Sequence, residues 1–111
     1  MSDIEITPLR ISHYIGAAEA KRRITGLPKL LKGRFPDEII TIRARIVRDT
    51  FNFSFRVYAS YFVWGSVTIE EETVEVSVHG SPRCALFLKN LEAVLPDDLD
   101  VLLGNVWISN G

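Results

Sequence analysis

Between Ile40 and His79, apolar and polar residues alternate with a period of two, and this pattern constrains the fold more than any other feature of the chain. Ile40, Ile42, Ala44 and Ile46 take one side of the first run, with Thr41, Arg43 and Arg45 on the other. After a polar turn at Arg48-Asp49-Thr50, Phe51, Phe53, Phe55, Val57 and Ala59 alternate with Asn52, Ser54, Arg56, Tyr58 and Ser60. A third run covers about 61–69 and a fourth about 73–79, where Val74, Val76 and Val78 oppose Glu75, Ser77 and His79, with Glu70-Glu71-Glu72 turning between them. Successive side chains of an extended strand point to opposite faces, so such runs build a sheet with one buried face and one wet face. The spacing predicts a four-stranded antiparallel meander. Ala59-Ser60-Tyr61 lacks the Gly, Asn or Pro of a tight hairpin, which predicts a wider or bulged turn there.

The flanking segments supply the second layer. Residues 4–13 alternate weakly around Pro8, which cannot donate to a ladder, so they read as an irregular edge strand. From Gly16 the period lengthens: Ala17, Ala20, Ile24, Leu27 and Leu31 recur every three or four residues and form one stripe of a helix. Gly26 and Pro28 predict a kink or a break into two segments near 25–28, and Gly33 with Pro36 ends the helix. Ser81-Pro82 starts a second helix whose apolar face is Cys84, Phe87, Leu88, Leu91, Val94 and Leu95. Pro96 is expected to halt it, and Asp97-Asp98 to open a short further helix through Leu99, Leu102 and Leu103 to Gly104. The order strand, helix, four-strand meander, helix predicts an α+β fold in two layers, a mainly antiparallel sheet with two helices on one face.

At 111 residues, 47% of them hydrophobic, the chain reads as a single domain over 1–111, with a core from about 4 to 104 and a tail over 105–111. No apolar run approaches a membrane span and residues 1–5 lack a secretory signal, so the expected compartment is the cytoplasm. The net charge of −1 conceals a local excess: residues 21–56 carry ten Lys/Arg against three acids, whereas 57–111 carry two against eight. The balanced total argues against non-specific nucleic-acid binding. Cys84, the one cysteine, removes an internal disulfide and a cysteine-rich zinc site. His13 and His79 share no local motif, Glu70-Glu71-Glu72 lacks the spacing of a calcium loop, and the glycines gather into no phosphate loop, so no catalytic, metal or cofactor residues are expected and the chain reads as a non-enzyme.

Interaction residues are more legible. If Val63, Val67 and Ile69 face the helices, then Phe62 and Trp64 point outward, near Tyr58 of the neighbouring strand. Arg43, Arg45 and Arg56 project from the polar sides of adjacent strands. Exposed aromatic side chains of this kind mark an interface, and the expected outcome is a homodimer through this face, or through the edge strand or the Val106-Trp107-Ile108 tail. An alternative is a protein-interaction module or a domain binding a lipid- or acyl-like ligand between sheet and kinked helix, lined by Phe51, Phe53, Phe55, Leu27 and Leu31.

The chain also resembles the polyhydroxyalkanoic acid system protein family, small bacterial proteins associated with storage-polyester granules. The resemblance spans about 11–104 and rests on His13-x-x-Gly16 leading into Glu19-Ala20-Lys21 and Ile24, on Asp49-Thr50-Phe51-x-Phe53, on Gly65 with Val67-x-Ile69 and Val74-x-Val76, on Pro82, and on Leu91-Glu92 with Leu99, Leu102 and Leu103. Gly26-Leu27-Pro28 and the residues after Gly104 depart from it. The resemblance implies a non-enzymatic accessory or granule-associated protein of polyhydroxyalkanoate metabolism, partnered by the granule or its proteins, and carries no catalytic residue.

Overall fold

The four alternating runs lie side by side as antiparallel strands in a computed structural model of the chain, which describes residues 3–58 and 60–105. In chain order the elements are β1 (Ile4–Glu5), β2 (Leu9–Ser12), α1 (Gly16–Ile24), α2 (Leu27–Arg34), β3 (Ile39–Val47), β4 (Thr50–Val57), β5 (Tyr61–Ile69), β6 (Thr73–Gly80) and α3 (Ala85–Leu103). The sheet runs β3-β4-β5-β6, and both β1 and β2 pair with the outer side of β6. The architecture is the α+β class read from the sequence. Pro8 splits the first strand in two; beside it the Thr7 N–H leaves the ladder and donates to Glu92 Oε2 at 2.9 Å.

One sheet face carries the core. Phe51, Phe53, Phe55 and Val57 of β4, Val63, Val67 and Ile69 of β5, and Val74, Val76 and Val78 of β6 are buried against Ala20, Ile24, Leu27 and Leu31 of the first two helices and the leucines of α3. The 3–4 spacing of the helical stripe survives the break at Thr25-Gly26, so α1 and α2 present one continuous surface to the sheet. Gly65 also points inward, under the Phe53 ring. A Cβ there would lie 2.6 Å from Phe53 Cζ and 2.5 Å from the Ser77 carbonyl oxygen, so only glycine fits.

Two elements differ from their sequence reading. The last helix does not halt at Pro96 but runs unbroken from Ala85 to Leu103, opened by a short 3₁₀ turn at Pro82–Cys84 whose cap is the Ser81 hydroxyl, 3.2 Å from the Arg83 nitrogen. Proline removes one helical hydrogen bond and crowds the preceding turn, but burial of Leu91 and Leu95 before it and of Leu99 and Leu103 after it holds both halves on the same sheet. Asp98 adds a polar tie: its buried carboxylate accepts from Arg34 Nε at 2.7 and 2.8 Å and from Nη2 at 2.6 Å.

The second difference lies in β3. Its pairing with β4 slips between Ile39 and Thr41, so Ile39 opposite Val57 is the inward residue, and Ile40, expected inward, is 44% exposed. A β-bulge places two residues against one, which alternation alone cannot reveal when Ile39 and Ile40 are both apolar. Ala59 and the Val106-Trp107-Ile108 segment lie outside the described residues. Among the described residues, no helix is long and apolar enough to cross a membrane.

Candidate functional site

Because all three helices cover one face of the sheet, the other face has no second layer among the described residues, and strand register decides what it displays. Its central row, read across five strands, is Glu5, His79, Trp64, Ser54 and Arg43. The adjoining rows place Phe62 beside Arg56 and Thr41, and Ser77 beside Ser66, Asn52 and Arg45. Phe62 is 55% exposed and Trp64 38%. Trp64 is partly covered by His79, whose ring stacks at 6.2 Å between centroids and 22° between planes. The sequence sets His79 outward on its strand with a structural or surface role; its cross-strand position opposite Trp64 needs the register.

The charges on this face are divided. Its acids already have partners: Glu75 lies 3.4 Å from Arg10, and Glu5 lies 3.9 Å from His79 Nδ1. Arg43, Arg45 and Arg56 form no ion pair among the described residues, and Arg56 Nε is buried without an acceptor. Arg43, Arg45, Arg56, Phe62 and Trp64 thus share one face, each on the side of its strand that the alternation gives it, and the register brings the arginines and the aromatic pair together. The surface they make is aromatic at its centre and cationic toward β3.

Tyr58 does not belong to it. β4 ends at Val57, and Tyr58 turns away with φ +49°, its nitrogen donating to the Glu38 carbonyl at 3.1 Å. Its ring meets Phe87 of α3 edge-on at 6.4 Å, on the helical side of the sheet. A left-handed residue breaks the two-residue parity on which its outward placement depended. Burial pushes the Tyr58 hydroxyl above its ordinary range, with Glu38 adding to the effect.

The remaining candidates are structural in their contacts. Burial raises the thiol pKa of Cys84, which is fully enclosed, the opposite of an activated nucleophile. His13 is buried; its Nε2 donates to the Glu70 carbonyl at 2.9 Å, and its own N–H donates to the Glu72 carbonyl at 2.8 Å. The acidic turn is therefore clamped to the start of α1, where Glu71 Oε2 accepts from the Ala17 nitrogen at 3.4 Å. The basic helical face is largely paired: Lys21 with Asp49 at 2.8 Å, and Arg22 and Arg23 with Glu19 at 2.8 Å. Phe51, Phe53 and Phe55, expected to line a ligand pocket, pack ring against ring at 6.1 and 5.3 Å and are buried with Leu27 and Leu31 as core. No group of three or more metal-ligating side chains occurs among the described residues. Compared with protein-family models, curated proteins and solved structures, the chain has no match in any of the three.

Proposed function

We propose that the protein is a non-enzymatic docking module that works through its open sheet face, and that the surface it docks on is the storage-polyester granule or a protein of its coat. The observation that carries the docking part is the uncovered face itself. Phe62, Trp64, Arg43 and Arg45 stand exposed and Arg56 half-buried on a face that no helix covers, and the three arginines form no ion pair among the described residues. Burying each aromatic side chain contributes roughly 1.5–3 kcal/mol, and the arginines reward a partner with anionic groups at its rim. The granule as partner rests on the resemblance carried by His13-x-x-Gly16 and the hydrophobic positions that follow it. Such a role places the protein in the cytoplasm and asks for no catalytic group.

The test is co-sedimentation with purified polyester granules. Enrichment over a control protein of similar charge is expected, with most of it lost in the Phe62→Ser/Trp64→Ser double variant. A parent that stays in the supernatant, or a double variant that sediments like the parent, would sink the reading. The same face supports the homodimer expected from the sequence, and the two uses exclude each other because they bury the same rings. Light scattering at tens of micromolar protein separates them: a dimer that Trp64→Ser returns to 12.5 kDa assigns the face to self-association in the absence of granules.

A further inference from the structure

The open face is not the only unfilled part of the sheet. β3 has β4 on one side and, among the described residues, no strand on the other; Ile39 is tied to α2 by its N–H on the Phe35 carbonyl and by Lys32 on its own carbonyl, but beyond it every second N–H and C=O points outward without a strand to meet it. The helical layer also stops short of this edge. Ile42, Ala44 and Ile46 pair with Phe55, Phe53 and Phe51 and share their side of the sheet; those phenylalanines are buried, whereas Ala44 is exposed and Ile46 is 39% exposed. On the opposite side, Arg43 and Arg45 flank the same edge without acidic partners among the described residues.

We propose that the β3 edge is a strand-addition site for an extended partner segment that alternates acidic and apolar residues. The geometry selects this chemistry. An added strand continues the pleat, so its residues opposite Arg43 and Arg45 fall on one side and those opposite Ile42, Ala44 and Ile46 on the other. Carboxylates on the first side meet two unpaired guanidiniums, and apolar side chains on the second cover the strip the helices leave open. A second copy of β3 does not satisfy these demands. Antiparallel pairing about a two-fold axis at Ala44 sets Arg43 against Arg45 of the other copy, and like charges directly opposite are destabilising. The arginines guard the edge against self-pairing and leave it open to an acidic strand.

The probe is a fluorescein-labelled ten-residue peptide alternating glutamate and valine, followed by anisotropy, with lysine replacing glutamate as comparator. The glutamate peptide is expected to bind at least roughly tenfold tighter than the lysine peptide, a preference that Arg43→Glu/Arg45→Glu reverses. Glutamate peptides N-methylated at alternate positions, one set for each edge, should bind more weakly for at least one edge, because a methylated edge cannot pair with β3. Hydrogen exchange of the 39–47 amides should slow with peptide bound, and Phe62→Ser/Trp64→Ser should bind like the parent, which separates this site from the open face. Equal binding of the two peptides, undiminished binding by both N-methylated sets, loss of binding in the Phe62/Trp64 variant, or unchanged exchange over 39–47 at millimolar peptide would each overturn the proposal.

Discussion

Gly65 shows how much of this fold depends on a single missing side chain. It lies between Phe53 and Val78 in the register, and the Phe53 ring occupies the space a side chain would need. The ring could swing aside at a cost in core packing, but the Ser77 carbonyl at 2.5 Å belongs to the neighbouring strand and cannot. Gly65→Ala is therefore expected to destabilise the protein by about 2 kcal/mol or more, the scale of an overpacked core site. Chemical denaturation should show a lower midpoint with an unchanged slope, and a midpoint equal to the parent's would contradict the close approach. Tyr58 is the complementary case. Its neighbours alternate strictly, so parity set it on the open face, and a single positive φ moved it to the other side. Phe62 and Trp64, inside a strand with no such irregularity, were placed correctly by the same rule.

At the scale of elements, the readable parts are those whose period is unambiguous. β4 from Phe51 to Val57 and β6 from Val74 to Val78 carry aromatic or β-branched residues at every second position, β5 does so apart from Gly65, and α1 with α2 keeps its stripe across a glycine and a proline. β3 was misread at one residue because a bulge among isoleucines leaves no mark in the pattern. The last helix was misread because proline chemistry is local, whereas the burial that overrides it comes from a sheet assembled elsewhere in the chain. That override has a measurable cost. Pro96 offers no N–H to the carbonyl four residues back, so Pro96→Ala restores a hydrogen bond and relieves the ring's clash, for a gain of roughly 1–3 kcal/mol. Thermal unfolding should rise by several degrees in the variant; an unchanged or lower midpoint would mean that the helix is shaped around the proline.

Across the whole molecule, ion pairs tie the first helix to itself and to the sheet. Hydrogen bonds from Arg22 and Arg23 lower the Glu19 carboxyl from 4.5 to about 2, and Lys21 holds Asp49, in the β3–β4 turn, below its ordinary value. A carboxylate depressed in the folded state stabilises at pH values above its unfolded pKa and loses that contribution as pH falls through the folded one. Stability is thus expected to decline as pH drops from about 4.5 toward 2, and Glu19→Gln/Asp49→Asn should flatten that decline. Parallel curves for parent and variant would assign acid sensitivity to other groups. A final consequence follows from the two short strands that close the sheet on β6. Leu9 pairs with Val76 and Ile4 with Gly80, so each waits through most of the chain's synthesis for its partner. At ribosomal speeds of roughly 5–20 residues per second the delay is several seconds, during which Ile6, Leu9 and Ile11 have no ladder to join. The nascent protein therefore passes through a stage with its N-terminal arm unplaced, and translation slowed over residues 70–80 would lengthen the exposure of that arm to chaperones and proteases.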